Sequence, residues 1–230
     1  MTLKTGLARD SLRNLSTSSN VVDNFEDDPD GTYGGSETLD DYYSGDLSHF
    51  ERTQSDVANG SYALKNTDTN GARRLIVSDS NGLISYPYAG NTVRSLLRDP
   101  SGGTHPGMGV AAQVTNLEMY AYHFEPNRDK IVIRKWDDST STGSSTLSSA
   151  SINESTQTYY WVEGVVPENS GSSKGDLSMT LYNYDAQNDA RGSEIQNVTA
   201  NDTDYVDNDG VGFAKHGNDP GAISDDYFIK

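Results

Sequence analysis

VVDNFEDDPDG, at residues 21–31, carries the clearest indication of fold class in this chain. Two apolar residues lead to an aromatic residue between acids, and a turn rich in Asp, Pro and Gly follows. This order predicts the first strand of a β domain, running into a loop crowded with carboxylates. The last residues, DDYFIK at 225–230, again place aromatic residues beside acids. We therefore predict that the first and last strands of the domain pair with each other and close it.

Short β-type runs follow this opening almost without interruption. Gly, Asn, Asp and Ser separate them, and no amphipathic helix stands out, which is typical of a sandwich or barrel. The predicted strands are 21–25, 49–54, 61–66, 73–77, 92–98, 108–114, 117–124, 130–136, 145–152, 158–166, 177–184, 194–199, 210–215 and 227–229.

Two of these runs have a readable pattern of side chains. Residues 117–124 alternate, with Leu117, Met119, Ala121 and His123 on one face. Residues 158–166 form the most apolar run, so we place that strand centrally. Among the strand aromatics, we expect the core to hold Tyr159, Trp161 and Phe213.

The length of 230 residues is compatible with one large β domain. Residues 139–149 are almost all Ser or Thr, and fit either a linker or a hairpin between Ile133 and Ile152. Since no second core-forming unit begins there, we predict a single domain over 21–230, preceded by a short N-terminal arm over 1–20.

The charge is strongly acidic: 34 acidic against 17 basic residues give a formal charge of −17 and a pI near 4.4. Such a surface repels phosphate backbones and anionic lipids, so we expect no nucleic-acid and no membrane partner. High salt would screen the self-repulsion, which favours a halophilic setting. An acidic mesophilic surface is the alternative.

The chain has no cysteine, which excludes disulfides, thiolate chemistry and cysteine-ligated zinc. It has no apolar run of about 20 residues, as a membrane helix needs. Residues 1–20 also lack the apolar run of a secretion signal. If the protein acts outside a cell, we expect it to leave as part of a particle assembled in the host cytoplasm.

The arm at 1–20 differs in composition from the rest of the chain. It has three basic residues and a single acid, Asp10, and its leucines recur at spacings of three to five, which is weakly helical. A frayed terminus would explain it. Alternatively, this basic arm docks on another subunit of a homo-oligomer.

Several motifs resemble those of a known fold. The order DNFED (23–27), HFERTQ (49–54) and NGSYALK (59–65) resembles the opening of concanavalin A-like lectin/glucanase and laminin-G-like domains. The later motifs that resemble this group are TQTYYWVEGVV (156–166), DLSMTLYNYDAQ (176–187), GVGFAKH (210–216) and ISDDYFIK (223–230). The resemblance implies an all-β jelly-roll sandwich of two antiparallel sheets. Such domains occur as carbohydrate-binding modules, and in surface and viral structural proteins of salt-loving archaea.

The resemblance also implies a structural calcium ion, joining an acid of the first strand to the Asp before the last strand. Carried over, this implicates Glu26 and Asp226, with Asp23, Asp28 and Asp225 as helpers. Calcium takes six to eight oxygen ligands, and carboxylates supply them. Solvated surface acids are the alternative, because acids are abundant here.

Nothing in the sequence indicates catalysis. Glucanases of this fold carry Glu-x-Asp-x-Glu along one strand, whereas Glu118 stands alone and Glu163 has no second acid two residues away. The four histidines, at 49, 105, 123 and 216, are scattered singly, and no nucleophile elbow or phosphate loop is present. We therefore predict a protein that is not an enzyme and has no organic cofactor.

Aromatic residues in or near loops are the candidates for ligand binding, because sugars stack on aromatic faces. We expect these to be exposed: Tyr33, Tyr42, Tyr43, Tyr86, Tyr88 and Trp136. Glycan contact, subunit contact and plain packing all remain open for them.

These observations together predict a non-enzymatic structural and adhesion protein on the surface of a virion, from a virus of a halophilic archaeon. It would be a capsid turret, decoration or tail-fibre subunit that contacts other virion subunits through the arm and binds a host glycan or glycoprotein. The alternatives are a carbohydrate-binding module of a cellular surface protein and, ranked lower, a glycoside hydrolase.

Overall fold

The computed structural model describes residues 21–23, 25, 39, 43–58, 60–69, 71–77, 89–137, 144–156, 158–208 and 210–229, without the side chains of 21–23 and 226–229. In chain order, its strands are β1 (Val21–Asp23), β2 (Tyr43–Gly45), β3 (Phe50–Thr53), β4 (Ala63–Asn66), β5 (Arg73–Val77), β6 (Thr92–Arg98), β7 (Pro106–Gln113), β8 (Glu118–Glu125), β9 (Lys130–Trp136), β10 (Ser144–Ser151), β11 (Tyr159–Val165), β12 (Asp176–Asp185), β13 (Ala190–Asn201), β14 (Gly210–Lys215) and β15 (Ile223–Ile229). In these residues, two short 3₁₀ turns, Leu47–His49 and Pro126–Arg128, are the named helical elements. None of the helical segments in this described part reaches the length and apolarity needed to cross a membrane.

The strands form two antiparallel sheets packed as a sandwich. The eight-stranded sheet has the order β13-β12-β11-β6-β15-β4-β3, with β1 also paired to β15. The seven-stranded sheet has the order β10-β9-β8-β7-β14-β5-β2. This confirms the predicted class, an all-β jelly-roll sandwich.

The predicted closure of the domain by its two ends is also confirmed. β1 pairs antiparallel with β15, with Val21 opposite Phe228 and Asp23 opposite Tyr227. Just after β1, the fully buried ring of Phe25 lies 5.5 Å from the ring of Phe213. The chain there is also held by Arg52, whose Nε donates to the Phe25 carbonyl at 2.6 Å.

Most predicted strands match observed ones to within a few residues, because alternation and turn residues are local signals. The hairpin between Ile133 and Ile152 is formed by β9 and β10. The sequence-based prediction missed β2, because a strand of three residues is too short to show an alternating pattern. It also shortened β15, whose pairing with β6 and β4 begins at Ile223.

The core lies between the sheets and draws on both. In β8, Tyr120, Tyr122 and Phe124 point into it, whereas Met119 and Ala121 join a second buried cluster on the opposite side of the seven-stranded sheet. The predicted alternation of this strand is therefore confirmed, and both of its faces are buried. β11 is flanked by β6 and β12, as expected of a central strand.

Candidate functional site

Two of the aromatic residues predicted to be exposed are buried. Tyr43 is 1% exposed and packs in the main core, with its ring 6.3 Å from that of Phe213. Trp136 is 0% exposed, donates from Nε1 to His123 and lies under the guanidinium of Arg74. Their predicted exposure is wrong, because both belong to strands that pack rather than to loops. Four other candidates lie outside the described residues: Tyr33, Tyr42, Tyr86 and Tyr88.

The predicted calcium ligands are only partly described. Asp225 is fully buried in β15, and its Oδ2 accepts a hydrogen bond from the backbone of Ala58 at 2.9 Å. Asp23 and Asp226 belong to the paired strands β1 and β15, but their side chains are not described. Glu26 and Asp28 lie outside the described residues. Calcium binding at this edge therefore stays a prediction.

The outer surface of the eight-stranded sheet carries a group of aromatic side chains on β11 and β12. Successive residues of a strand face opposite sides, and the core takes Tyr160 and Val162, so their neighbours face outward. We call the resulting surface the aromatic face, which consists of Tyr159, Trp161, Glu163, Tyr182, Tyr184 and Arg191. Tyr159 was predicted in the core but is partly exposed, as are Tyr182 and Tyr184, whereas Trp161 is buried as expected.

The rings of the aromatic face are held by one another and by arginines. Tyr184 contacts both Trp161 and Tyr159 edge-on, with ring centroids 6.4 Å apart in each pair. Arg191 lies 4.4 Å above the ring of Tyr182 and donates to Glu163 at 2.8 Å. Such contacts fix the rings in place without covering Tyr182 completely, so part of its ring stays open to solvent.

A second candidate region lies at one end of the seven-stranded sheet. Three ionisable side chains meet there: His105 precedes β7, Glu125 ends β8, and His216 follows β14. His105 and His216 also line a polar pocket of about 360 Å³, together with Asn127 and Asp219. We call this region the histidine pocket.

The loop before β7 is built to present His105. The buried carboxylate of Asp99 accepts hydrogen bonds from Gly102 N at 2.7 Å, from Thr104 Oγ1 at 2.6 Å and from His105 N at 3.1 Å. His105 itself has a left-handed backbone, with φ 48°, which non-glycine residues seldom adopt. Because Asp99 holds the loop from inside, the position of His105 is fixed by the fold.

The three histidines of this end are linked through a single carbonyl. The carbonyl oxygen of His105 accepts from the backbone N–H of His216 at 3.2 Å and from His123 Nδ1 at 3.0 Å. Gly217 allows the segment after β14 to approach the loop before β7. Its φ is 142°, and a Cβ there would lie 2.0 Å from the Gly103 carbonyl oxygen. The residues that sequence reasoning took as scattered therefore converge.

Glu125 is fully buried and is neutralised by cations. Arg134 donates to its Oε1 from Nη2 at 2.6 Å and from Nε at 3.1 Å. Arg128 and Lys130 lie 3.4 Å and 3.6 Å from its Oε2. Burial alone would raise the pKa of Glu125, but the charge of Arg134 outweighs it and lowers that pKa to about 2.

The same surroundings keep two of the histidines neutral. Burial, followed by the charge of Arg134, lowers the pKa of His216 to about 4 and that of His123 well below its ordinary 6.5. At neutral pH, the ionised carboxylate of Glu125 thus lies beside the uncharged imidazole of His216.

The two regions differ in how far sequence could have revealed them. The aromatic face follows from the alternation at 159, 161 and 163 and at 182 and 184 on adjacent strands, a pattern that was available. The histidine pocket joins positions 105, 125 and 216, which no local pattern connects.

No protein-family model matches the chain, and no curated protein matches it in sequence. Solved structures do match. The carbohydrate-binding module CBM66 from Bacillus subtilis has a TM-score of 0.51 at 11% identity, over 78% of this chain and 93% of that one. A legume lectin-like domain from Entamoeba histolytica has a TM-score of 0.47 at 8% identity, over 80% and 90%.

The fold is a concanavalin A-like jelly roll. This confirms the resemblance drawn from the sequence motifs. A xylan β-1,4-xylosidase from Bacillus halodurans C-125 has a TM-score of 0.43 at 9% identity, over 78% of this chain and 34% of that one. This fold does not by itself decide between binding and catalysis.

Proposed function

We propose that this protein is a non-enzymatic glycan-recognition module whose binding surface is the aromatic face. The observation that carries the proposal is the set of partly exposed tyrosines beside Arg191 and Glu163 on one side of a lectin-like sandwich. Tyrosine rings stack on the C–H faces of sugars, while charged and amide groups hydrogen-bond the hydroxyls. The preformed ring contacts reduce the ordering that binding would require.

The ionisation of the carboxyl groups supports binding over hydrolysis. A glycosidase needs one carboxyl with a raised pKa to protonate the leaving group, beside a second, ionised one. Glu125 has a pKa lowered to about 2, so it is not such an acid. On the aromatic face, Glu163 is engaged by Arg191, and Asp189 accepts a hydrogen bond from the Tyr184 hydroxyl.

The test is glycan binding in high salt by wild type and by matched Tyr→Ala variants. We expect Tyr182→Ala to weaken binding by about tenfold or more, since a stacked aromatic contributes roughly 1–3 kcal/mol in comparable stacking sites. Tyr62→Ala is the control: Tyr62 is also partly exposed and lies under an arginine, but it precedes β4, away from β11 and β12. Equal binding by both variants would remove the aromatic face from the proposal.

The finer proposal concerns where the module works. Its acidic charge of −17 and its basic arm at 1–20 support a subunit on the virion surface of a virus infecting a halophilic archaeon. There the arm would contact other virion subunits and the module would bind a host surface glycan or glycoprotein. Deleting residues 1–20 should lower the oligomer mass in light scattering. An unchanged mass would exclude the arm as the docking element.

Calcium at the β1–β15 edge is a further proposal, supported by the pairing of the two acidic ends. Adding Ca²⁺ to metal-free protein should raise the melting temperature, because a ligand that binds only the folded state stabilises it by mass action. Asp226→Asn should abolish the shift. A melting temperature that does not respond to Ca²⁺ would contradict the site.

A further inference from the structure

The histidine pocket contains nitrogen atoms without a hydrogen-bond partner. In the described part of the chain, the buried Nδ1 atoms of His105 and His216 have none. His105 is only 1% exposed, so bulk water does not replace a partner freely. Such groups call for an explanation, and an unoccupied binding position is one.

The hydrogen bond between His105 and Asn127 shows which ring nitrogen of His105 is available. Its Nε2 lies 2.6 Å from the amide oxygen of Asn127, which accepts a hydrogen bond from it. A neutral imidazole carries one proton, so Nδ1 then presents a lone pair. On the facing side, His216 Nδ1 lies 4.0 Å from Glu125 Oε1, and its ring stacks on that of His105 at 6.0 Å.

We propose that His105, Glu125 and His216 bind a divalent transition-metal ion of the Zn²⁺ class. One ligand atom from each residue lies within 4.8 Å of the others. Two imidazoles and a carboxylate form a ligand set that zinc, copper or nickel accepts. Calcium and magnesium require several oxygen ligands instead, and the carboxylate here is shared with Arg134.

The geometry requires a small contraction. Tetrahedral zinc with bonds of about 2.0–2.1 Å places its ligand atoms roughly 3.4 Å apart, so the ligand atoms, which lie within 4.8 Å of one another, must close in by up to about 1.4 Å. His216 can supply this movement because it lies beyond the end of β14, partly exposed and followed by Gly217. Glu125 stays in place, held by Arg134. The positive charge of Arg134 opposes the metal, so we expect moderate affinity.

The site leaves room for a further ligand. Three protein ligands leave a fourth position on zinc, which here faces the polar pocket with Asn127 and Asp219 on its wall. The metal site lies on the seven-stranded sheet and the aromatic face on the other, so zinc binding and glycan binding can be tested separately.

The experiment is zinc titration of metal-free full-length protein by calorimetry. We expect one zinc ion per chain, and His216→Ala should weaken binding by at least about tenfold. His49→Ala is the matched control, because His49 lies by β3 beside Asp68, outside the cluster. Unchanged zinc affinity in His216→Ala, or no binding by wild type at millimolar zinc, would overturn the proposal.

Fluorescence gives a second readout that locates the ion. The chain has two tryptophans, and Trp136 lies with its ring 5.9 Å from that of His216, whereas Trp161 is on the other sheet. Bound Cu²⁺ should quench Trp136, and Trp136→Phe should lose that quenching. Quenching that persists in Trp136→Phe, or zinc displaced by excess Ca²⁺, would indicate surface acids and contradict the site.

Discussion

The aromatic face and the histidine pocket are on different sheets and are built in opposite ways. The face places Tyr182 and Arg191 where solvent reaches them, and its contacts lie within three consecutive strands of one sheet, β11 to β13. The pocket buries Glu125 and His105, and it draws on loops and strand ends far apart in sequence. The difference teaches that a flat strand surface can be altered residue by residue, whereas a buried charge cluster depends on all of its members.

The largest expected loss of stability comes from removing a positive charge from the histidine pocket. Arg134→Met leaves Glu125 buried without its main partner, and removing one member of a buried ion pair costs about 3–5 kcal/mol. Urea unfolding measures it. The control is Lys65→Met, which removes an exposed pair with Glu51 and should cost less than about 1 kcal/mol. Similar losses in both variants would contradict the distinction between the two kinds of charge.

An intermediate effect is expected from acid, again in the pocket. His123 and His216 have folded pKa values below 6.5, so the unfolded state takes up protons first. The stability that they contribute is present above about pH 6.5 and is lost as the pH falls. We expect each of the two histidines to lower the unfolding free energy of metal-free protein by on the order of 2 kcal/mol between about pH 7 and pH 5.

Glu125 extends the same trend to lower pH. Its folded pKa of about 2 lies below its ordinary 4.5, so its contribution is lost as the pH falls from 4.5 towards 2. His216→Asn should remove about half of the loss between pH 7 and pH 5, since His123 still supplies the rest, and should leave the loss below pH 4.5 unchanged. Tyr182→Ala should change neither. The measurement is the urea midpoint of unfolding across this pH range. If the wild-type midpoint does not change with pH, the assignment of these stability losses to the histidines and Glu125 is wrong.

The smallest expected effect on stability belongs to the aromatic face. Tyr182→Ala removes a partly exposed ring and its contact with Arg191, and an exposed cation–π contact contributes about 0.5–1 kcal/mol. We therefore expect a loss on the order of 1 kcal/mol in urea unfolding, alongside the loss of glycan binding. If Tyr182→Ala lowers the unfolding free energy as much as Arg134→Met does, the Tyr182 ring is needed for stability of the fold and the contrast between the two regions fails.

The success of the sequence-based predictions followed the range of the interactions involved. The bounds of β5, β6, β9 and β14 were predicted without error, because each has a local apolar pattern between turn residues. The exposure of individual side chains was harder to predict from the sequence. Trp136 is the last residue of β9, and a polar segment follows it in the sequence. The residues next to it in the sequence do not indicate that Met119 and Ala121 of β8 pack around it.

The sequence by itself determined the class of fold, its closure by the paired ends and its acidic surface, since alternation, turn chemistry and charge are properties of short segments or of composition. Only the tertiary structure decided which rings stay exposed and that His105, Glu125 and His216 meet. Their meeting depends on the order of strands in a sheet, with β7 between β8 and β14. That order is fixed by packing over the whole chain, so no single segment encodes it.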